Sequence, residues 1–214
     1  MRLPAADRDL RSKARDFTQQ VLIPFEDECE ANGGLTPESH AAAKRAVLEW
    51  GFNGINHPVE DGGQGLDLFQ QMLVEEQWGH ATGALWDLPW RPSIPLQRGT
   101  EAQKERYLRP AIRGERRDAY AITEEGAGSD PSMVTTTARR EGDGWVIDGE
   151  KWHVTSGDVA DFFELHVHVD GDPAKATVFL VDKHTPGVRL VRTPAYMHTF
   201  VFEHPIFAFE GVRV

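Results

Sequence analysis

The hydrophobic periodicity of this chain changes once, after Ala119, and this change restricts the possible folds more than any other feature. Before it, apolar residues recur at helical spacing, with steps of four, three and four residues from Leu10 to Val21. After it, short β-rich runs such as "ATVFLV" and "VRLVR" follow one another with no helical pattern between them. The sequence therefore predicts an α+β protein, with an α-helical domain over 1–117 and an antiparallel β domain over 118–214.

Capping signals divide the first part into separate helices. Pro24 is expected to end or kink the first helix, because proline lacks the backbone N–H that a helix interior requires. Thr36 precedes a proline, which is typical of an N-cap followed by the first helical position. Asp67 and Thr100 each have a glutamine three residues later, the spacing of a capping box. In the second part, Asp148-Gly149 is the strongest hairpin signal.

The charge and cysteine content exclude several classes of function. Thirty-four acidic and 23 basic residues give a net charge of -11, which disfavours a nucleic-acid partner. Cys29 is the single cysteine, so neither an internal disulfide nor a cysteine metal site is expected. No apolar run approaches the roughly 18 residues of a membrane span, and no basic-then-apolar leader follows Met1. We therefore expect a cytoplasmic protein with no membrane partner.

The stretch "YAITEEGAGSD" at 120–130 is the most suggestive loop. It does not fit a dinucleotide-binding fingerprint, because Pro131 stands at the third glycine position and a strand is predicted to follow. Its glycines, serine and aspartate suit a loop whose backbone N–H groups bind a planar ligand or a phosphate. By composition alone, an ordinary structural turn is the commoner outcome.

Two histidines, His166 and His168, are predicted to share one strand face with Glu164 and Asp170. Such a group is a possible start of a metal site. Alternating His and Val residues are more typical of a half-exposed strand, and we expect no metal here. The residues by themselves thus predict two domains and one candidate loop, without a reaction.

Four segments and a late pair, taken in order, resemble a known family. They are "HPVEDGGQG" (57–65), "GTEAQKERYLRPAIRGE" (99–115), "AYAITEEGAGSD" (119–130), "DGEKWHVTSG" (148–157) and the late pair "TPGVRLVR" and "FEGVRV". Together they resemble the acyl-CoA dehydrogenases, whose signature is usually Thr-Glu-Pro-Gly-Ala-Gly-Ser-Asp. The resemblance covers nearly the whole chain.

The resemblance implies a helical N-terminal domain, a middle antiparallel β domain and a C-terminal four-helix bundle, of which this chain contains the first two. It implies an FAD whose ring lies between the β domain and the bundle. It also implies α,β-dehydrogenation of an acyl-CoA thioester, with the catalytic glutamate in the bundle. We therefore expect no catalytic base in this chain and little FAD binding by it alone.

The cofactor-binding residues that the resemblance implies lie in two segments. In the first, Tyr120, Ile122 and Thr123 match a strand along the flavin, with the Thr123 hydroxyl near N5 or O4 of the ring. Gly128 and Ser129 match the loop at the phosphate and ribityl region, and Ser129 also matches a position that touches the CoA portion of the substrate.

In the second segment, Val154 and Thr155 match another flavin strand, which offers backbone groups and a hydroxyl to the ring edge. Two positions depart from the family pattern. Glu125 replaces the usual proline and adds a negative charge. His153 replaces an aromatic residue, often Trp, that packs on the flavin, and histidine can stack but offers less apolar area.

Several alternatives remain open from the sequence. The chain is either a fragment, a natural half-enzyme completed by a C-terminal helical domain or partner chain, or a non-catalytic interaction subunit. The same scaffold also suits a flavin-dependent oxidase or hydroxylase. For the dehydrogenase, the resemblance implies an electron-transfer flavoprotein as partner and a homo- or hetero-oligomer.

Overall fold

The computed structural model describes residues 3–197 and 201–214, which form two compact units. The helical unit contains the described residues of Met1–Glu115 and Tyr196–Val201. The β unit contains those of Arg116–Ala195 and Phe202–Val214.

Six α-helices are present among the described residues of the helical unit. They are α1 (Ala5–Phe17), α2 (Glu26–Asn32), α3 (Pro37–Glu49), α4 (Leu68–Trp78), α5 (Glu101–Gln103) and α6 (Arg109–Ile112). A π-helical turn, Thr18–Leu22, and a 3-10 turn, Ile23–Phe25, join α1 directly to α2. Pro24 therefore changes the type of helix without ending the helical run, because it lies in the first turn of the 3-10 segment, where its missing N–H is not needed.

The predicted helix starts are confirmed. The Thr36 hydroxyl accepts the backbone N–H of Ser39 at 3.3 Å, with Pro37 in the first helical position. Asp67 and Thr100 both form reciprocal capping boxes with the glutamines three residues later. These caps satisfy N–H groups that have no partner within the helix.

The core of the helical unit is aromatic. The ring of Phe52 lies 4.9 Å from that of Phe17 and 5.4 Å from that of Trp78, measured between centroids. All three side chains are almost fully buried. Tilted and edge-on contacts of this kind add specific geometry to the burial of apolar area.

The β unit contains one seven-stranded sheet within the described residues. Its strands are β1 (Asp118–Ala121), β2 (Thr137–Glu141), β3 (Gly144–Lys151), β4 (Phe162–Val169), β5 (Ala176–Asp182), β6 (Val188–Arg192) and β7 (Ile206–Arg213). The strand order is β1-β4-β2-β3-β7-β6, and β5 pairs with β4. The core of the sheet is formed by apolar residues from most of the strands, including Ala121, Ile147, Phe163, Val181 and Phe209.

The α+β class with a helical part followed by a β part is confirmed, but the sheet is mixed rather than antiparallel. β1 and β2 both pair with β4 in parallel, whereas the other pairings are antiparallel. The expectation assumed that parallel neighbours need a helix between them. Here the connection from β1 to β4 is made by a loop and the β2–β3 hairpin, which are long enough to cross over.

The hairpin predicted at Asp148-Gly149 is wrong, because β3 continues through both residues. The β2–β3 turn lies at Gly142-Asp143, where Gly142 has φ 62°. Asp148 instead sits at an irregularity in the pairing of β3 with β7, and its carboxylate accepts the N–H of Gly211 at 2.7 Å. A Cβ on Gly149 would lie 2.3 Å from Thr136 Oγ1, so glycine is required there by close approach.

Candidate functional site

Two segments that are distant in sequence meet at one end of the sheet. The backbone N–H of Trp152, just after β3, donates to the carbonyl of Thr123, just after β1, at 2.7 Å. The Nζ of Lys151 donates to the carbonyl of Ile122 at 3.0 Å. The "YAITEEGAGSD" and "GEKWHVTSG" segments are therefore direct neighbours.

The carboxylate of Glu124 is the centre of this junction. Oε2 accepts the backbone N–H and the hydroxyl of Thr135, at 2.7 and 2.6 Å. Oε1 accepts the backbone N–H of Thr136 at 2.9 Å, its hydroxyl at 2.5 Å, and Lys151 Nζ at 2.8 Å. Five donors thus converge on one buried side chain.

The environment of Glu124 keeps it ionised. Burial raises the pKa of its carboxyl, but the hydrogen bonds from Lys151, Thr135 and Thr136 outweigh burial and lower the pKa to about 2. Burial lowers the pKa of Lys151 from its ordinary value, and the hydrogen bond to Glu124 opposes that shift. Glu124 is thus a buried carboxylate that is held by hydrogen bonds from one lysine and two threonines.

The glycine-rich loop that follows Glu124 faces open space. A two-residue turn connects Glu124 to Ala127, which exchange backbone hydrogen bonds of 3.0 and 3.2 Å. Gly128 and Ser129 are exposed, and in the part of the chain that the structure describes no acceptor lies against their backbone N–H groups. The carboxylate of Asp130 is turned onto Ser132, accepting its N–H at 3.0 Å and its hydroxyl at 2.7 Å.

The other predicted residues of the first segment lie where β1 ends. Tyr120 is 39% exposed, and Ile122 and Thr123 are half-buried. Burial, followed by the nearby charge of Glu164, raises the pKa of the Tyr120 hydroxyl. Glu125 is exposed. The segment thus contains a partly exposed ring, a hydroxyl and exposed backbone N–H groups.

The second segment is a turn, and the strand predicted at Val154 and Thr155 is wrong, because β3 ends at Lys151. Val154 is buried in the core, and its N–H and carbonyl bond to Pro205 and Gly157 at 2.9 Å each. Its backbone groups are thus engaged within the protein rather than turned to a ligand.

Two side chains of this turn remain accessible. Thr155 is exposed, and its hydroxyl lies 3.0 Å from His204 Nδ1. His153 is exposed, has φ 51°, and makes an edge contact with the ring of Trp152 at 6.0 Å between centroids. A histidine with positive φ is an uncommon backbone state, which the surrounding turn imposes.

The strand that carries His166 and His168 is buried rather than half-exposed, because β4 has neighbours along both edges. Glu164 and His168 are almost fully buried and His166 is half-buried. Burial, together with the charge of Lys151, lowers the pKa of His166. Within the described ranges, no group of three or more His, Cys, Asp or Glu side chains is arranged to hold a metal.

Lys151 and Glu124 are the site residues that sequence reasoning missed. Both stand inside the two candidate segments, but neither of them is assigned a role from the sequence. No local pattern marks Lys151 as buried, because the alternation of "EKWHVT" places Trp152 and Val154 on the apolar face and Lys151 on the polar one. Only its pairing with Glu124 makes burial acceptable.

Two family models match this chain. The model described as "Acyl-CoA dehydrogenase, N-terminal domain" matches residues 4–115, and "Acyl-CoA dehydrogenase, middle domain" matches residues 119–201. The chain belongs to the acyl-CoA dehydrogenase family. This acyl-CoA dehydrogenase family member has the family's helical and β parts in the expected order.

Curated relatives of this acyl-CoA dehydrogenase family member align along most of the chain. A 3-(aryl)acrylate reductase of Clostridium sporogenes is 36% identical, over 84% of this chain and 48% of its own length. A benzylmalonyl-CoA dehydrogenase of Aromatoleum aromaticum is 33% identical, over 97% of this chain and 57% of its own length. This chain thus spans about half the length of these curated relatives.

A solved structure shows the same fold. An acyl-CoA dehydrogenase of Bacillus anthracis complexed with FAD matches with a TM-score of 0.86 and 27% identity, covering 99% of this chain and 36% of that one. In the described part of this chain, no helix has the length and apolar character of a membrane span.

Proposed function

We propose that this chain supplies one wall of the FAD site of an acyl-CoA dehydrogenase-type oxidoreductase. The observation that carries the proposal is the hydrogen bond between Trp152 and Thr123, which brings the two segments that resemble flavin-binding segments into contact. The family membership and the FAD complex of the Bacillus anthracis structure support it.

The residues at the junction fit the chemistry of FAD. Its pyrophosphate needs N–H donors, which the exposed loop at Gly128 and Ser129 offers. We assign the hydroxyls of Thr123 and Thr155 to its polar ring edge, and the side chains of Tyr120 and Ile122 to its apolar surface. His153 presents an aromatic ring, while buried Val154 holds the turn in place.

FAD, when bound, supplies the acceptor for a hydride from the β carbon of an acyl-CoA thioester, while the α proton goes to a base and a carbon–carbon double bond forms. We expect the base to come from a C-terminal helical domain in the full protein or from a partner chain. Within this chain, we assign Ser129 a further contact to the CoA portion of the substrate. The two electrons taken up must leave between turnovers, and we propose an electron-transfer flavoprotein as their acceptor in a cytoplasmic oligomer.

The test is to mix this chain with the C-terminal helical domain of an acyl-CoA dehydrogenase and measure flavin absorbance after gel filtration. We expect FAD to be retained and its absorbance to fall when acyl-CoA is added without oxygen. The double substitution Thr123→Ala with Ser129→Ala is expected to weaken FAD retention about tenfold or more, since each lost hydrogen bond removes about 1 kcal/mol.

The matched control is Thr177→Ala, which removes an exposed hydroxyl from β5 in the same unit, where it bonds only to the Lys175 carbonyl at 3.2 Å. This variant should retain FAD as the unmodified chain does. If no flavin is retained, or if both variants behave alike, the proposed function is wrong.

A further inference from the structure

The loop over 125–134 is anchored at both ends to Glu124. At its start, the backbone groups of Glu124 and Ala127 exchange two hydrogen bonds. At its end, the Glu124 carboxylate accepts the N–H and hydroxyl groups of Thr135 and Thr136. The loop that contains Gly128 and Ser129 is therefore held at both ends by one residue, through its backbone at the start and its side chain at the end.

Lys151 connects the second segment to the same carboxylate. Its Nζ lies 2.8 Å from Glu124 Oε1 and 3.0 Å from the Ile122 carbonyl oxygen. The next residue, Trp152, bonds to Thr123. The spacing between the first segment and the turn at 152–157 is thus set by contacts of Lys151 and its neighbour.

We propose that Glu124 and Lys151 are positioning residues of the FAD site, an inference that rests on the proposed function. Their side chains are 5% and 0% exposed, so they act through the loop and the turn rather than by touching a ligand. An ion pair suits this role, because charge-assisted hydrogen bonds fix both distance and direction. Apolar packing of similar volume often contributes as much stability or more, so stability alone does not require an ion pair here.

A purely structural role would also make Glu124 and Lys151 sensitive to substitution, so the test separates loop position from overall stability. We choose Lys151→Met, which removes the ammonium group, and Glu124→Gln, which removes the charge with little change of shape. The control is Val181→Ala, which opens the core beneath β5 and leaves the ion pair intact. Glu124→Asp keeps the charge and shortens its reach.

Two readouts are measured on each variant of the 214-residue chain. Amide hydrogen exchange reports the order of 125–136 against that of β7, and needs no ligand. Quenching of FAD fluorescence, with the C-terminal helical domain present, reports affinity. We expect Lys151→Met and Glu124→Gln to speed exchange of 125–136 about tenfold or more relative to β7 and to weaken FAD binding by a similar factor. Glu124→Asp is expected to be intermediate.

The control separates the outcomes. Val181→Ala should speed exchange throughout the sheet without selecting 125–136. If the ion-pair variants show only that general change, or if the loop loosens while FAD affinity stays the same, the positioning role is wrong. If the unmodified chain binds no FAD, the proposed function fails, and hydrogen exchange still decides whether the pair fixes the loop. Should Lys151→Met not fold, Glu124→Gln provides both readouts.

Discussion

Lys151 Nζ lies 2.8 Å from Glu124 Oε1, and the two side chains are almost completely withdrawn from water. Removing two charges from water is costly, and the cost is offset only if every remaining donor and acceptor is satisfied. Here the threonines at 135 and 136 donate to the carboxylate oxygens, and the carbonyl of Ile122 accepts a second N–H of the ammonium group. Burial of the pair is therefore tolerated because each charged group has hydrogen-bond partners inside the protein.

Acid unfolding should report the state of Glu124. Its pKa in the folded chain, about 2, lies below the ordinary value of 4.5, so the stability it contributes is present above pH 4.5 and is lost as the pH falls toward 2. We expect protonation of Glu124 alone to lower the free energy of unfolding by about 3 kcal/mol as the pH falls to 2. Urea unfolding at pH 7, 4.5, 3 and 2 should show a flatter dependence for Glu124→Gln.

Glu115→Gln is the control for that experiment. Its pKa is also lowered, first by the hydrogen bond from Arg113, but its side chain is 56% exposed and solvent screens the pair. The pH dependence of this variant should match that of the unmodified chain. An equal flattening in both variants would contradict the assignment to Glu124.

Gly149→Ala should destabilise the β unit. The new methyl group would lie 2.3 Å from Thr136 Oγ1 and 2.7 Å from its Cα, and the backbone atom cannot yield without moving a residue that binds Glu124. We expect a loss of about 2 kcal/mol in the free energy of unfolding. Gly126→Ala places its methyl group in open space and should change the free energy of unfolding by less than about 0.5 kcal/mol. Similar losses at both positions would argue against the close approach.

Asp61→Ala should destabilise the helical unit. Its side chain, 3% exposed, accepts Lys104 Nζ at 3.0 Å and an Arg109 guanidinium nitrogen at 3.3 Å. Removing it leaves both cations without this buried partner, and we expect a cost of about 3 kcal/mol in urea unfolding. Glu76→Ala, which breaks a 2.9 Å pair with Arg11 between half-exposed side chains, should cost far less. Equal costs would show that burial of Asp61 does not matter.

His153→Gly should separate folding from FAD binding. Glycine relieves the positive φ, so the free energy of unfolding is expected to stay unchanged or to rise by up to about 1 kcal/mol. If His153 packs against FAD as proposed, loss of the ring should weaken binding about fivefold. The control Asp170→Gly relieves a φ of 55° in the β4–β5 turn, and it should shift stability similarly and leave FAD affinity unchanged. Weakened binding in both variants would contradict a specific role for His153.

The sequence by itself determined the class of fold, the helix starts and the two segments of the candidate site. Each depends on local chemistry: the period of apolar residues, the caps at Thr36, Asp67 and Thr100, and short motifs whose order along the chain is typical of one family. Local sequence preferences were sufficient for these features because the residues that form each period, cap or motif are close together in the chain.

Only the tertiary structure decided how the strands pair and what holds the site together. Asp148-Gly149 has the composition of a turn, yet the packing of Thr136 against Gly149 and the bond from Gly211 keep it within β3. β4 was expected to be half-exposed, but β1, which precedes it in the chain, and β5, which follows it, pair with it and bury it. Lys151 and Glu124 are 27 residues apart, and each is tolerable in the interior only because the fold brings it to the other. Pairing of this kind depends on long-range contacts, which no local pattern encodes.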